Sequence, residues 1–282
     1  MSVENSQIVE IVKTWYGKTA KLQNVRLDQD AYHQIEFIVT MHYLEKYLPP
    51  SGLILDAGGG PGKYTVELAK RGYDMVLLDL TPELLNIAGE EIKKARVQAR
   101  VKRIVEGSIV NLSSFSDELF DAVLCLGGPL NHILNADLRA KAVQELVRVA
   151  KKNAPIFISV ISRLGLMTTI LIQTPNEVQD CKHYLEIGDY VPGIVPRRKA
   201  KGFTAAHWFL PEELRDLCNN YGINVMEMAS LEGLSSFHRR ESNRLAEDRR
   251  KWKMWIEILL RTSNHPSIVG SCEHFLLVGR RS

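Results

Sequence analysis

The chain predicts an α/β fold built around a nucleotide-binding βαβ unit, and three observations carry that reading. An apolar strand, Leu53-Ile54-Leu55, ends in Asp56 and runs into the glycine-packed turn Gly58-Gly59-Gly60-Pro61-Gly62. A helix is expected over 63–71. A second apolar run, Met75-Val76-Leu77-Leu78, then ends in another acid, Asp79. Glycines at such a turn let a ligand lie against the backbone, and an acid at the tip of the second strand accepts hydrogen bonds from ribose hydroxyls.

The spacing excludes two other phosphate-binding motifs. A dinucleotide fingerprint places glycines at relative positions one, three and six. Counted from Gly58, the sixth residue is Lys63; counted from Gly59, the third is Pro61. A P-loop needs a glycine five residues before Gly62 and a hydroxyl residue after Lys63, where Ala57 and Tyr64 stand. What remains is Asp56-x-Gly58-x-Gly60-x-Gly62, with Asp79 seventeen residues beyond the last glycine. This resembles motif I of the class I S-adenosylmethionine (SAM)-dependent methyltransferases.

The rest of the chain can be taken in order. Before the first strand, Ile35, Ile38, Met41, Leu44 and Leu48 form one helical stripe that can pack on the sheet or cover a cofactor, with Trp15 and Tyr16 farther upstream. After Asp79, Thr81-Pro82-Glu83 reads as a helix start, with Thr as N-cap, Pro in the first turn and an acid favoured by the dipole. Val101-Lys102-Arg103-Ile104-Val105-Glu106 is a strand, and Gly107-Ser108 its exit. The segment 120–130 resembles the fourth strand and motif IV loop. Residues 138–152 place Ala142, Val143, Leu146 and Val149 on one helical face, with Lys151 and Lys152 suiting its C-terminus. A fifth strand is expected over 156–161, a helix opening in His207-Trp208-Phe209-Leu210-Pro211-Glu212-Glu213, and a strand over 223–228. The second of two inserted segments carries a predicted helix, 241–261, rich in Arg and Lys but bearing Trp252, Trp255, Ile256, Leu259 and Leu260. Phe275-Leu276-Leu277-Val278 closes the chain as the last strand.

The resemblance covers most of this length and implies a Rossmann-like seven-stranded, mostly parallel sheet with the last strand antiparallel, helices on both faces and a helical cap. The corresponding division is 1–50 as N-terminal helical cover, 51–162 as SAM-binding core, 163–209 as cap insertion, 210–232 as core, 233–269 as second cap insertion and 270–282 as final strand. The chain is also similar to an archaeal and bacterial family of small-molecule-type methyltransferases, on the strength of Leu48-Pro49-Pro50, the glycine turn, Leu124-Cys125-Leu126-Gly127-Gly128-Pro129-Leu130-Asn131-His132 and Glu273-His274-Phe275-Leu276-Leu277-Val278-Gly279. Lys151-Lys152-Asn153 stands where such relatives often carry a Pro-Gly-Gly turn.

The resemblance implies SAM as methyl donor and S-adenosylhomocysteine as product, and it assigns residues. Asp56, Gly58, Gly59, Gly60 and Gly62 would form the turn against the methionine moiety, and Asp79 would take the ribose hydroxyls with Leu80 packed on adenine. Ser108, or the backbone of Ile109, would meet the adenine amino group where many relatives carry an acid. Leu126 and Gly127 would line the donor-methyl region. On the acceptor side His132 is a candidate base or polar contact, and equally a helix-start or surface histidine. Arg163, His207 and Trp208 are candidate substrate contacts, set against a surface salt bridge for Arg163 and core packing for Trp208. No metal site is expected.

Composition bounds the alternatives. A formal charge of +3 over 282 residues singles out neither nucleic acid nor a membrane as partner. Cys125, Cys181, Cys218 and Cys272 have no paired or zinc-like spacing, which favours free thiols in a reducing, cytoplasmic compartment. The N-terminus lacks a signal-peptide pattern. Residues 154–172 approach spanning length, but Arg163 at their centre costs about 2.5–3.5 kcal/mol on insertion, so a core strand passing into a cap helix is expected. The predicted partner is a small-molecule acceptor, with no membrane and a monomer or homodimer. A nucleic-acid methyltransferase is the first rival, prompted by basic clusters at 197–201 and 239–253. Against it, the second cluster is interleaved with Glu241, Glu247 and Asp248, and Gly127-Gly128-Pro129-Leu130 lacks the polar head and aromatic of amino-methylating DNA enzymes. A non-catalytic SAM-binding module is the second.

Overall fold

The structure, a computed structural model, describes residues 4–193 and 203–282. Two helices, α1 (Asn5–Val25) and α2 (Ala31–Tyr47), precede the sheet. Strand and helix then alternate as β1 (Leu53–Ala57), α3 (Lys63–Lys70), β2 (Asp74–Asp79), α4 (Pro82–Lys94) and β3 (Val101–Glu106). They continue through β4 (Ala122–Cys125), α5 (Ala136–Val149) and β5 (Pro155–Ile161). A departure from the core follows: α6 (Arg163–Gln173), α7 (Cys181–Ile187) and the short strands β6 (Asp189–Tyr190) and β7 (Ala206–His207). The chain returns through α8 (Pro211–Asn220) and β8 (Ile223–Ser230), leaves again through α9 (Arg239–Ala246), α10 (Arg249–Thr262) and α11 (Pro266–Val269), and ends in β9 (His274–Arg281).

The main sheet has seven strands in the order β3-β2-β1-β4-β5-β9-β8. The five strands from β3 to β5 pair in parallel, and β9 runs antiparallel to both β5 and β8. This is the Rossmann-like architecture expected above. The order reverses at β1, where β2 lies on one side and β4 on the other, and the crevice at the carboxyl ends of these strands is where open α/β sheets bind ligands.

Each face of the sheet carries its own core. On one, α5 and α8 contribute Ala142, Val143, Leu146, Leu214 and Cys218. On the other, α2 contributes Ile35, Val39, Tyr43 and Leu44, joined by Leu68, Leu259 and Leu276. The expected stripe thus belongs to α2, which packs on the sheet, while the separate helix α1 covers the strand ends. α2 is buried around most of its circumference because α10 covers its outer side, with Trp252, Trp255, Ile256 and Leu260 packed against the same core. At about 25 cal/mol per Å² of apolar surface removed from water, this burial gives the second insertion its adhesion.

Several expectations need correcting. The single helix over 241–261 is two helices, because Asp248 leaves the helical region and accepts hydrogen bonds from the amides of Arg250 and Lys251, starting α10 afresh. The helix over 138–152 starts at Ala136, capped by Asn135, and ends at Val149. Lys151 therefore serves no helix terminus; it pairs with Asp121 at 2.6 Å. Thr81 occupies the N-cap position of α4 without a side-chain capping bond. His207 lies in β7, ahead of the helix it was expected to open. Residues 154–172 are, as expected, a core strand passing into a helix, and no helix of the described residues is long and apolar enough to cross a membrane.

Candidate active site

The turn after β1 folds back on β2: the amides of Gly58 and Gly59 both donate to the Leu78 carbonyl, at 2.7 and 3.2 Å. Gly58 has φ +83°, and a Cβ there would lie 2.3 Å from Pro129, so only glycine fits between the two loops. A Cβ on Gly59 would lie 2.5 Å from Asp56 and from Leu77, and one on Gly62 would lie 3.2 Å from Ala88 of α4. The outcome is a backbone wall at the carboxyl ends of β1 and β4.

Asp79 completes this wall. One carboxylate oxygen accepts from the amide of Gly60 and the other from the amide of Thr81, both at 2.8 Å. Burial pushes its carboxyl above the ordinary range, opposed by these backbone bonds. Each oxygen keeps lone-pair capacity for a further donor. A cavity opens in front of it, lined by Gly58, Gly59, Gly60, Asp79, Leu80, Ser108, Ile109, Leu126, Gly127 and His132. Ten sequence-predicted residues, drawn from four loops, thus converge on one space. Within it the Gly127 amide donates to Ser159 Oγ at 2.8 Å, while a Cβ on Gly127 would meet no atom within 4 Å. Gly127 thus borders open space within the cavity.

Five predicted residues do not reach the cavity. Gly62 belongs to the packing of α3 on α4. Asp56 is fully buried behind the turn, where Thr65 Oγ1 donates to it at 2.6 Å and burial pushes its carboxyl up to about 6. Arg163, His207 and Trp208 tie the first insertion to α8. Arg163 donates to Glu213 at 2.6 Å and to the Trp208 carbonyl at 2.9 Å. The two ring nitrogens of His207 face Asp189 and Glu213, each at 2.6 Å. Trp208 packs with Tyr184 and Tyr190. Buried charges persist only with partners, and here those partners are internal. The basic run Arg197, Arg198 and Lys199 lies outside the described residues.

The opposite wall comes from α1, which lies in the expected N-terminal helical cover but in which no site residue was expected. Ile8, Val12 and Tyr16 line the cavity. Their spacing of four residues was the available signal, since it places them on one helical face. Tyr16 Oη lies 2.7 Å from His132 Nε2, and His132 Nδ1 lies 2.8 Å from the carbonyl of Ala205. A carbonyl can only accept, so Nδ1 carries the proton and Nε2 accepts from the tyrosine hydroxyl. Burial holds the His132 ring well below the usual imidazole range, at about 4, so it is neutral. Asn131 fixes the loop that presents it, accepting from the Ile161 amide and donating to the His207 carbonyl.

Farther along the wall, Arg26 makes a bidentate pair with Glu36, at 2.6 and 2.9 Å. Behind it Glu36, Glu232 and His274 bring ligand-type atoms within 4.8 Å of one another. Glu36 is met by Arg26, and Glu232 accepts from both the ring Nδ1 and the backbone amide of His274, at 2.7 and 2.9 Å. Arginine and imidazolium thus answer these carboxylates in an internal ion chain.

Comparison with known proteins agrees with this geometry. Residues 54–153 match a family described as a methyltransferase domain. The chain is 30% identical over 98 residues to a glycine/sarcosine N-methyltransferase of Aphanothece halophytica, a match covering 35% of this chain and 36% of that one. The match thus spans about a third of that relative's length. Among solved structures, a SAM-dependent methyltransferase of Methanosarcina mazei superposes with a TM-score of 0.59 at 19% identity, covering 85% of this chain and 96% of the other. The 1,6-didemethyltoxoflavin-N1-methyltransferase of Burkholderia thailandensis, solved with bound 1,6-didemethyltoxoflavin and S-adenosylhomocysteine, superposes with a TM-score of 0.57 at 14% identity, covering 100% of this chain and 92% of the other. At such identities these two likenesses speak for the fold.

Proposed function

We propose that this chain, whose residues 54–153 are a class I SAM-dependent methyltransferase domain, transfers a methyl group from SAM to a small-molecule acceptor. The observation that carries the reading is the convergence of the Gly58–Gly60 turn, Asp79, Leu80, the Ser108-Ile109 exit loop and Gly127 on one cavity at the switch point of the sheet. The donor set fits the cofactor. Asp79 offers acceptor capacity for two ribose hydroxyls, Leu80 and Ile109 offer apolar flanks for adenine, and Ser108 replaces the acid many relatives use. The Gly58–Gly60 backbone and Gly127 leave space for the methionine and sulfonium end. SAM supplies an already activated methyl group, so the protein's share of catalysis is alignment and exclusion of water.

The residues divide that work. Backbone and Asp79 hold the donor, α1 closes over it with Ile8 and Val12, and His132 with Tyr16 provides the polar groups on an otherwise apolar acceptor side. A small acceptor is favoured because α1 lies across the mouth of the cavity. We place the protein in the cytoplasm as a monomer or homodimer, in keeping with its four free cysteines; light scattering reads the oligomeric state.

The test is calorimetric titration of the purified protein with S-adenosylhomocysteine, with NADH as control. Saturable binding of the former alone supports the reading. Absence of binding in a folded sample overturns it. Methyl incorporation into RNA, with affinity falling steeply in salt, would instead favour the nucleic-acid reading.

A further inference from the structure

Resting on that reading, we propose that Tyr16 and His132 form a proton relay for an acceptor hydroxyl, so that the methylated atom is the oxygen of a neutral alcohol, enol or phenol. The argument starts from the direction of two hydrogen bonds. Because His132 Nδ1 must donate to the Ala205 carbonyl, Nε2 is the acceptor and Tyr16 the donor in the 2.7 Å contact between them. The tyrosine hydroxyl has one proton, now committed, and two lone pairs. Among the described residues no donor reaches its oxygen. On this side of the cavity the pair therefore presents acceptor capacity, and it suits a ligand that brings a hydrogen-bond donor.

Charge narrows the donor's class. Among the described residues Asp79 is the only carboxylate on the cavity wall, and it already takes two backbone amides. The full charges otherwise on the wall are those of Arg26 and Lys63. A protonated amine would enter beside a sulfonium with no free anion to receive it, whereas a neutral hydroxyl meets no such penalty. The His132 ring lies between those of Tyr16 and Phe203, at 5.2 and 5.8 Å, so apolar ring faces flank the pair.

The transfer then balances. As the acceptor oxygen forms its bond to the methyl carbon and the carbon–sulfur bond breaks, its electron pair goes to sulfur. The acceptor's O–H proton passes to Tyr16 Oη, and the tyrosine proton passes to His132 Nε2. One positive charge leaves the sulfonium and one arrives on the imidazole, so the net charge of the site is unchanged. Departure of the sulfonium charge removes one repulsion that would oppose protonation of His132, and burial is the opposition that remains. The imidazolium releases its proton to solvent when the products leave. Ala205 is the positioning group: its carbonyl holds the ring in the tautomer that leaves Nε2 free to accept.

The test uses the S-adenosylhomocysteine complex of the full chain and three fragments of similar size: phenol, anisole and benzylamine. Binding is measured by NMR titration. Phenol is expected to bind at least about tenfold tighter than anisole and than benzylamine, a margin equal to about 1.4 kcal/mol. Nuclear Overhauser contacts should join phenol to the Tyr16 and His132 rings. In the double variant Tyr16→Phe/His132→Phe the preference for phenol over anisole should vanish. Equal binding of phenol and anisole, preference for benzylamine, or contacts to other residues in the wild-type protein each overturn the relay. These wild-type readouts stand even if the double variant does not fold. Failure of S-adenosylhomocysteine itself to bind would fall on the cofactor reading, and the two failures are thus told apart.

Discussion

His132 and His274 are both half-buried in area and closely surrounded by protein, yet near neutral pH the first is uncharged and the second carries a positive charge. Burial lowers the affinity of each ring for a proton. His132 faces a tyrosine hydroxyl and a carbonyl, neither of which carries charge, so burial wins and the ring titrates at about 4. His274 faces Glu232 and Glu36, and their attraction overrides both burial and the repulsion of Arg26, raising the ring to about 9. Burial also raises the Glu232 carboxyl, against the pull of His274. The proton between them belongs to the pair, and we place it on the ring because Glu36 lies near it as well. The charge of the neighbours, and not enclosure, decides the state of each histidine. One network is closed and structural; the other keeps unused hydrogen-bond capacity and faces a cavity.

The largest expected effect breaks the closed network. Glu232→Gln leaves a buried imidazolium without its partner and should cost about 3–5 kcal/mol of stability, read by urea denaturation, with S-adenosylhomocysteine affinity unchanged in the folded fraction. A loss below about 1 kcal/mol would show that the pair is not charged.

The pH dependence of stability sharpens the same contrast. His274 has a folded value of about 9 against an ordinary 6.5, so its contribution is complete below pH 6.5 and is lost as pH rises through 9. His132 has a folded value of about 4, so its contribution is present above pH 6.5 and is lost as pH falls through 4. Each arm amounts to about 3 kcal/mol at most, at 1.36 kcal/mol per unit. Denaturation midpoints across this range should fall on both sides of neutrality, and His132→Gln should remove the acid arm while leaving the alkaline one.

Smaller effects belong to the cavity. Asp79→Ala removes the acceptor proposed for ribose and should weaken S-adenosylhomocysteine binding about a hundredfold, or about 2.7 kcal/mol, in a protein that remains folded. Unchanged calorimetric affinity would take Asp79 out of the site. Gly127→Ala is the mildest. Its φ of +76° costs an alanine about 1 kcal/mol, and the new methyl group enters space where the protein has no atoms. About a tenfold loss of affinity should accompany that small loss of stability. Equal affinity would mean that the space beside Gly127 is not the cofactor's.

The cavity and the first insertion also differed in how far they could be read in advance. The glycine turn, Asp79, Leu80, Ser108 and Gly127 were legible because each belongs to a short strand-and-loop pattern. Arg163 and His207, offered as substrate contacts with a salt bridge as the alternative for Arg163, lie away from the cavity for the converse reason: a charge beside a strand end looks like a ligand contact until its partner is known. Glu213 stands 50 residues from Arg163 and only 6 from His207, and no sequence pattern announces that one carboxylate answers both.

From the sequence alone follow the alternation of strand and helix, the order of the elements around a glycine turn, and the acid at the tip of β2. These depend on side-chain periodicity and backbone preference over a few residues, which any stretch of chain carries with it. Tertiary structure alone decided that α1 forms the second wall, that Tyr16 donates to a histidine 116 residues away, and that His274 meets a glutamate 42 residues away. A proton's position depends on the charges and dipoles within a few ångströms, and only packing brings those together.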